Sequence, residues 1–194
     1  MSKKRSYPAR LPRAASGIRL QERGSCGVWN WWARRWQDAI EKMAFGARLG
    51  KGRNYAVSGQ VLEISLPAPH VAAKVMGARP DPYELSFDFR VPSPEARRRI
   101  VGSIAAEPIV VARILAGDLP MEVEAAFRAE GLDLFPGAKL APGKYDMTTK
   151  CSCPDYANPC KHCVAALYVL GEEIARRPAA LLELRGISIE ELVG

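Results

Sequence analysis

YELSFDFRV, residues 83–91, alternates apolar and polar side chains without a break. Tyr83, Leu85, Phe87, Phe89 and Val91 fall on one side of an extended chain, with Glu84, Ser86, Asp88 and Arg90 on the other, the period of a strand with one buried face. Upstream, Val71, Ala73 and Val75 repeat the pattern, and Leu62, Ile64 and Leu66 set it against Glu63 and Ser65. Pro- and Gly-bearing turns at 67–69 and 77–82 separate the three segments, so the spacing predicts an antiparallel meander.

Helical spacing flanks these strands. Trp29, Trp32, Trp36, Ile40 and Met43 recur at steps of three and four and should form a core-facing stripe, while Trp31 lies off it as a candidate contact surface. Ser93-Pro94-Glu95 carries a capping hydroxyl and a first-turn proline, starting a helix to about residue 106. Glu107-Pro108 starts a second helix ended by Gly117, and Asp118-Leu119-Pro120 a third ended by Gly131. These three are expected to cover the apolar face of the sheet. LFPGAKLAPGKYDMTTK, residues 134–150, has little periodicity and reads as a connector. Cys163, Leu167, Leu170 and Ile174 then share a stripe closed by Pro178, and a short helix is expected at 179–184. The fold class is α+β, an antiparallel β-meander packed by helices with a small C-terminal cysteine-rich module. The expected divisions are a basic flexible tail at 1–27, a body at 28–140, the module at 141–187 and a tail at 188–194.

The chain of 194 residues is 48% hydrophobic and 25% charged, ordinary for a globular protein. No apolar run approaches the ~20 residues of a membrane span. The opening MSKKRSYPARLPRAASG lacks the apolar stretch of a secretory signal, and Pro8 and Pro12 spoil the amphipathic helix of an organelle transit peptide. A reducing, cytoplasmic setting is therefore expected, with nucleoid association as a variant, and there a dense cysteine cluster reads as metal binding before disulfides. Residues 1–60 hold 13 Lys+Arg against 3 Asp+Glu, whereas the remainder holds 15 against 18. Positive charge concentrated in one third of a chain attracts polyanions such as nucleic acid, and its alternative is a solvated tail.

FGARLGKGRNYAVSG, residues 45–59, invites a phosphate-loop reading that fails. The interval from Gly46 to Lys51 is one residue short, and Gly52 stands where a Ser or Thr would hold magnesium. A flexible basic loop is expected there instead.

CSCPDYANPCKHC, residues 151–163, gathers four of the five cysteines and one of the two histidines. Structural zinc takes four tetrahedral thiolate or imidazole ligands, and five candidates are present. Cys160 and His162 would point about 200° apart on one regular helix, so Cys160 must precede the helix and His162 must occupy its first turn. Pro159 biases Asn158 away from helical geometry, and the helix N-terminus with Lys161 favours a thiolate. The ligand set is Cys151, Cys153, Cys160 and His162. The alternative replaces His162 with Cys163, three residues from Cys160, although Cys163 also heads the apolar stripe as a small hydrophobe. Four protein ligands leave no open position, so the single zinc is structural. Cys26 reads as a lone thiol and His70 as an exposed imidazole, with no signature of catalysis around either.

C-x-C, a short loop and C-x-H at the start of an apolar helix resemble the SWIM zinc finger. WWARRW, YAVSGQVLEI and the LFP segment extend the likeness to bacterial SWIM zinc finger family proteins over roughly 29–187, with Cys163 standing where an aliphatic residue is usual. The resemblance implies a nucleic-acid-binding or protein-binding module without an ATPase of its own, accessory to a SWI2/SNF2-type ATPase. DNA is the expected polymer, with Arg34, Arg35, Arg48, Lys51, Arg53, Lys150 and Lys161 as phosphate-facing residues. No enzyme activity, small-molecule substrate or membrane is expected. The alternatives are a protein–protein adaptor and, remotely, a thiol or metal-dependent enzyme.

Overall fold

The computed structural model describes residues 11–21, 30–43, 46–66, 68–137, 139–141, 144–155 and 158–194. In chain order the elements are α1 (Trp31–Lys42), α2 (Ala47–Val57), β1 (Val61–Ser65), β2 (His70–Val75), β3 (Tyr83–Phe89), α3 (Pro94–Ala105), α4 (Pro108–Leu115) and α5 (Met121–Ala129). There follow β4 (Lys139–Ala141), β5 (Lys144–Tyr145), β6 (Met147–Cys151), α6 (Lys161–Arg176), α7 (Ala179–Leu184) and α8 (Glu190–Val193). The fold is α+β, and its main sheet runs β1-β2-β3-β6 with every pair antiparallel.

The meander forms where alternation predicts it. Tyr83, Leu85, Phe87 and Phe89 are buried, as are Val71, Ala73 and Val75. Val91 is the exception: it lies past the end of β3 and is 43% exposed. In β1 a register shift between Val61 and Glu63 puts Val61 in the core and leaves Ile64 half-buried. The fourth strand corrects the reading of 134–150 as a connector, since β4 and β5 make a small hairpin and β6 pairs with β3, Leu85 opposite Cys151 and Phe87 opposite Thr149. Residues of the expected body and of the expected zinc module thus share one sheet.

What covers that sheet is α6. His162 through Leu170 are buried on every side of the helix, together with Ile174, and a helix apolar all round belongs inside a protein. It packs on α1, α2 and all four strands of the sheet, whereas α3, α4 and α5 pack chiefly on one another and on α8. The expectation that α3 to α5 cover the sheet is therefore corrected. Ser93 caps α3 as read, its Oγ accepting from Ala96 N at 3.2 Å.

The α1 stripe is core: Trp32, Trp36, Ile40 and Met43 are buried, and the indoles of Trp32 and Trp36 donate to the carbonyls of Ile174 and Leu167. Trp29 and Cys26 lie outside the described residues. Trp31 is not a free contact surface; its indole donates to Leu119 O at 2.8 Å and packs edge-on against Trp32 and Phe135. Residues 11–21, within the expected tail, run along the sheet and α2, with Ile18 N donating to Val61 O and Leu20 N to Ala56 O. At the other end α8 buries Leu192 and ties Glu191 to Arg97.

The basic loop expected around Gly50 and Gly52 is the helix α2. Its glycines lower helix propensity, but tertiary packing overrides them. A Cβ on Gly52 would stand 2.4 Å from Val164 Cγ1 and 2.9 Å from Lys161 O, so the missing side chain lets α2 close on the first turn of α6. At Gly50, on the same helix, a Cβ would meet nothing within 4 Å. Opposite outcomes follow for one substitution. Gly50→Ala should stabilise the chain by about 1 kcal/mol through helix propensity, whereas Gly52→Ala should destabilise it, overpacking costing about 1–3 kcal/mol. Urea denaturation of the two variants checks the signs.

Candidate metal centre

Three short segments assemble the site. β6 delivers Cys151 on the strand edge, and Ser152 fastens the C-x-C arm to β3 through Ser152 N to Glu84 O and Glu84 N to Ser152 Oγ, both 3.0 Å. The return loop is pinned by Asn158, whose amide exchanges hydrogen bonds with the hydroxyl and carbonyl of Thr149. Cys160 is the N-cap of α6, extended at φ −88° and ψ 176°, and His162 lies one residue inside the helix start, the arrangement that the C-x-H spacing demands.

The ligand atoms of Cys151, Cys153, Cys160 and His162 all lie within 4.8 Å of one another. Cys160 Sγ is 3.5 Å from His162 Nδ1. Tetrahedral zinc with ordinary zinc–sulfur and zinc–nitrogen bonds separates two such atoms by about 3.6 Å, so the donors fit the ion. His162 Nε2, the other ring nitrogen, is buried without a hydrogen-bond partner. It is enclosed instead by rings: the imidazole centroid lies 4.6 Å from Tyr83 and 5.3 Å from Tyr55. Gly77 completes the enclosure, because a Cβ there would stand 2.3 Å from Tyr83 Cε2 and 3.3 Å from His162 Nε2. Cys163 Sγ is 3.7 Å from Cys160 Sγ but outside the set whose members are all mutually close.

Four thiols this close cannot all be charged without a cation. Hydrogen bonds from Cys151 and Cys163 hold the Cys160 pKa far below the usual thiol value. Cys151 is raised by its hydrogen bonds to Cys160 and Cys163 and by burial, and Cys153 is raised chiefly by burial. At Cys163 the hydrogen bond with Cys151 lowers the pKa, but Cys160 and burial outweigh it and push the thiol up to about 12. A divalent ion among these thiols is what allows the ligands to ionise together.

The residues read as phosphate-facing separate into two groups. Arg48, Lys51 and Arg53 lie on α2, Lys161 opens α6 with its ammonium 5.1 Å from the Tyr55 ring centroid, and Lys150 precedes Cys151. Arg48 Nε stands 3.9 Å from Asp155 of the zinc loop. Arg34 is exposed on α1, which lies along α6 near Leu167 and Ile174 rather than at its first turn. Arg35 pairs with buried Glu124 at 2.6 Å and stacks over Phe135. His70, at the start of β2, pairs with Asp88 at 2.6 Å. Missed from sequence were Tyr55, Tyr83 and Gly77 around the imidazole and Asn158 in the loop; the only visible hint was Gly77 at a turn.

Comparison with known proteins places a SWIM zinc finger at residues 144–171, the stretch from β5 through β6 and the ligand loop into α6. The chain is also 33% identical over 186 residues to the uncharacterized protein Rv2102 of Mycobacterium tuberculosis. That alignment covers 96% of this chain and 65% of the relative, so the chain spans slightly less than two thirds of the relative's length. No solved structure matches the chain. With the thiol and imidazole donors clustered inside the matched segment, the chain carries a SWIM zinc finger built around one structural zinc.

Proposed function

We propose that the chain is a non-catalytic nucleic-acid-binding module, acting on DNA in the cytoplasm or nucleoid, in which zinc bound by Cys151, Cys153, Cys160 and His162 orders the binding face. The observation that carries this reading is the docking of basic α2 against the zinc end of α6. Gly52 permits the contact, and it sets Arg48 and Lys51 beside Lys161 and the ligand loop. Three thiolates and an imidazole on a divalent ion leave one net negative charge, and the flanking Lys150, Lys161 and Arg48 more than offset it. Cations gathered on one face exchange condensed counterions for contacts with phosphate, which confers affinity without base preference. The SWI2/SNF2-type ATPase is the partner that the family resemblance implies, and this chain would supply binding to it. Among the described residues no helix is long and apolar enough to cross a membrane.

Fluorescence anisotropy with labelled DNA tests the reading. Affinity should fall as salt rises, log affinity against log salt having a slope of about −0.9 per phosphate contacted. Lys51→Ala and Lys161→Ala should each weaken binding uniformly across sequences. Absence of binding even at low salt removes this reading. An adaptor function is favoured by a different observation, the exposed Ile109, Leu115 and Met121 on α4 and α5. Recovery of one stoichiometric protein partner that survives nuclease treatment and depends on those side chains would support it.

A further inference from the structure

Zinc takes four donors around the start of α6 and leaves one thiol over. Cys163 is buried in the first turn of that helix, its Sγ 3.7 Å from that of the ligand Cys160. The two close a C-x-x-C pair at a helix start, Cys160 as the N-cap and Cys163 in the first turn, a placement that in general favours thiol–disulfide chemistry. Side chains three residues apart on a helix are neighbours. Bonded sulfurs stand about 2.0 Å apart, so these two need approach by less than about 2 Å to join. His162, between them in sequence, packs its ring against Tyr83 and Tyr55.

This pair is sealed from large reagents. Cys160 is 1% and Cys163 0% exposed, so neither a bulky disulfide nor a second chain can reach them. Cys151 and Cys153 are only half-buried and form the open side of the cluster. Since the ligand atoms of Cys151, Cys153 and Cys160 lie within 4.8 Å of one another, an oxidant little larger than water can act at the open side and its oxidising equivalent can pass inward from sulfur to sulfur.

We propose that Cys163 is the resolving thiol of an oxidation-sensitive zinc site, closing a disulfide with Cys160 that expels the metal when a peroxide reaches the cluster. Peroxide first adds oxygen to a half-buried ligand thiolate: an S–O bond forms, the O–O bond breaks and hydroxide leaves. The Cys160 thiolate attacks that sulfur, forming an S–S bond and releasing a second hydroxide. One hydroxide takes the proton of Cys163 and becomes water. The Cys163 sulfur then attacks Cys160, and the outer cysteine departs as a thiolate. In sum, the Cys160 thiolate, the Cys163 thiol and one peroxide become one disulfide, one water and one hydroxide, and zinc loses a ligand. The proposal concerns the metal alone and holds whichever polymer or partner the module engages.

Peptide mapping of the oxidised chain tests it. The zinc-loaded full chain is treated with hydrogen peroxide, zinc release is followed with a chromogenic chelator, free thiols are alkylated and the protein is digested with trypsin. Cleavage after Lys150, Lys161 and Arg176 puts Cys151, Cys153 and Cys160 on peptide 151–161 and Cys163 alone on peptide 162–176. The expected result is one zinc released per disulfide and the two peptides joined, with dithiothreitol parting them and added zinc restoring the full metal content. A disulfide confined to 151–161, with Cys163 alkylated, overturns the proposal, as does a link from Cys163 to the Cys26 peptide, 24–34. Ligand sulfurs carried to sulfinic acid with no disulfide overturn it too, and so does zinc retained under a peroxide excess that oxidises free cysteine. Cys163→Ala should hold its zinc while reduced, and loss of the metal from that reduced variant would make Cys163 a ligand instead. Should the variant fail to fold, the map of the unaltered chain decides.

Discussion

His162→Ala is expected to strip the zinc from the chain, and Cys163→Ala to leave it bound. His162 Nδ1 lies 3.5 Å from Cys160 Sγ within the four-residue cluster, whereas Cys163 stands beside that cluster, buried in the first turn of α6. Metal content should thus fall from one zinc per chain to near none in the first variant and stay at one in the second. X-ray absorption should show three sulfurs and one nitrogen around the ion. The reverse pattern, zinc retained without His162 and lost without Cys163, would make the site four-thiolate.

Chelation carries the larger energy. Zinc binding to finger peptides is worth about 10–16 kcal/mol at neutral pH, comparable to the whole stability of a domain at about 5–15 kcal/mol. The peptide figure includes ordering the finger's helix, which in this chain is already clasped by Trp32, Trp36 and α2. Loss should therefore concentrate in the ligand loop. Far-UV ellipticity should persist on chelation while the near-UV signal of Tyr55 and Tyr83, packed on the imidazole, changes and the unfolding midpoint drops.

The second large effect is expected at Asp146 and Arg185. Both side chains are at most 5% exposed, and Arg185 donates to Asp146 Oδ2 at 2.6 Å, to Leu134 O at 3.0 Å and to Arg90 O at 2.9 Å. Asp146 Oδ1 also accepts from Gly137 N at 2.7 Å. One guanidinium thus ties the end of α7, the edge of β3 and the chain entering β6. Asp146→Ala would bury an unpaired positive charge, which costs about 3–5 kcal/mol. At about 2–4 °C per kcal/mol for a chain of this size, the melting midpoint should fall by about 6–20 °C. Removing both partners should cost less than the two single losses added together. A midpoint shift under about 2 °C in Asp146→Ala would show that the pair holds nothing together.

Much of this architecture could be read from the chain alone, for physical reasons that also explain the gaps. β2 and β3 were legible because their inward positions are all apolar. β6 was not, because its inward residues Met147 and Thr149 include a buried hydroxyl, which breaks the apolar count while keeping the alternation. Glycines concealed α2, since sequence alone cannot distinguish a glycine that loosens a chain from one that admits a neighbouring helix. Cysteine and histidine spacing marked the ligands, because metal geometry restricts spacing within a short segment. The aromatic enclosure of His162 stayed hidden, its two tyrosines coming from residues far away in the chain. Arg35, read as phosphate-facing, shows what residue type alone leaves out: its guanidinium is paired with buried Glu124 while the side chain stays 42% exposed.

One consequence of the buried α6 concerns transplantation. A fragment cut at 144–171 would lose β3, the neighbour that pairs with β6, and would end about two thirds of the way along a helix that the rest of the chain wraps on every side. Such a peptide would carry the ligands yet present bare hydrocarbon and an open strand edge to water, so it should self-associate. The finger of this protein is best regarded as a region of a larger core that happens to hold a metal, rather than as a cassette to be moved between proteins.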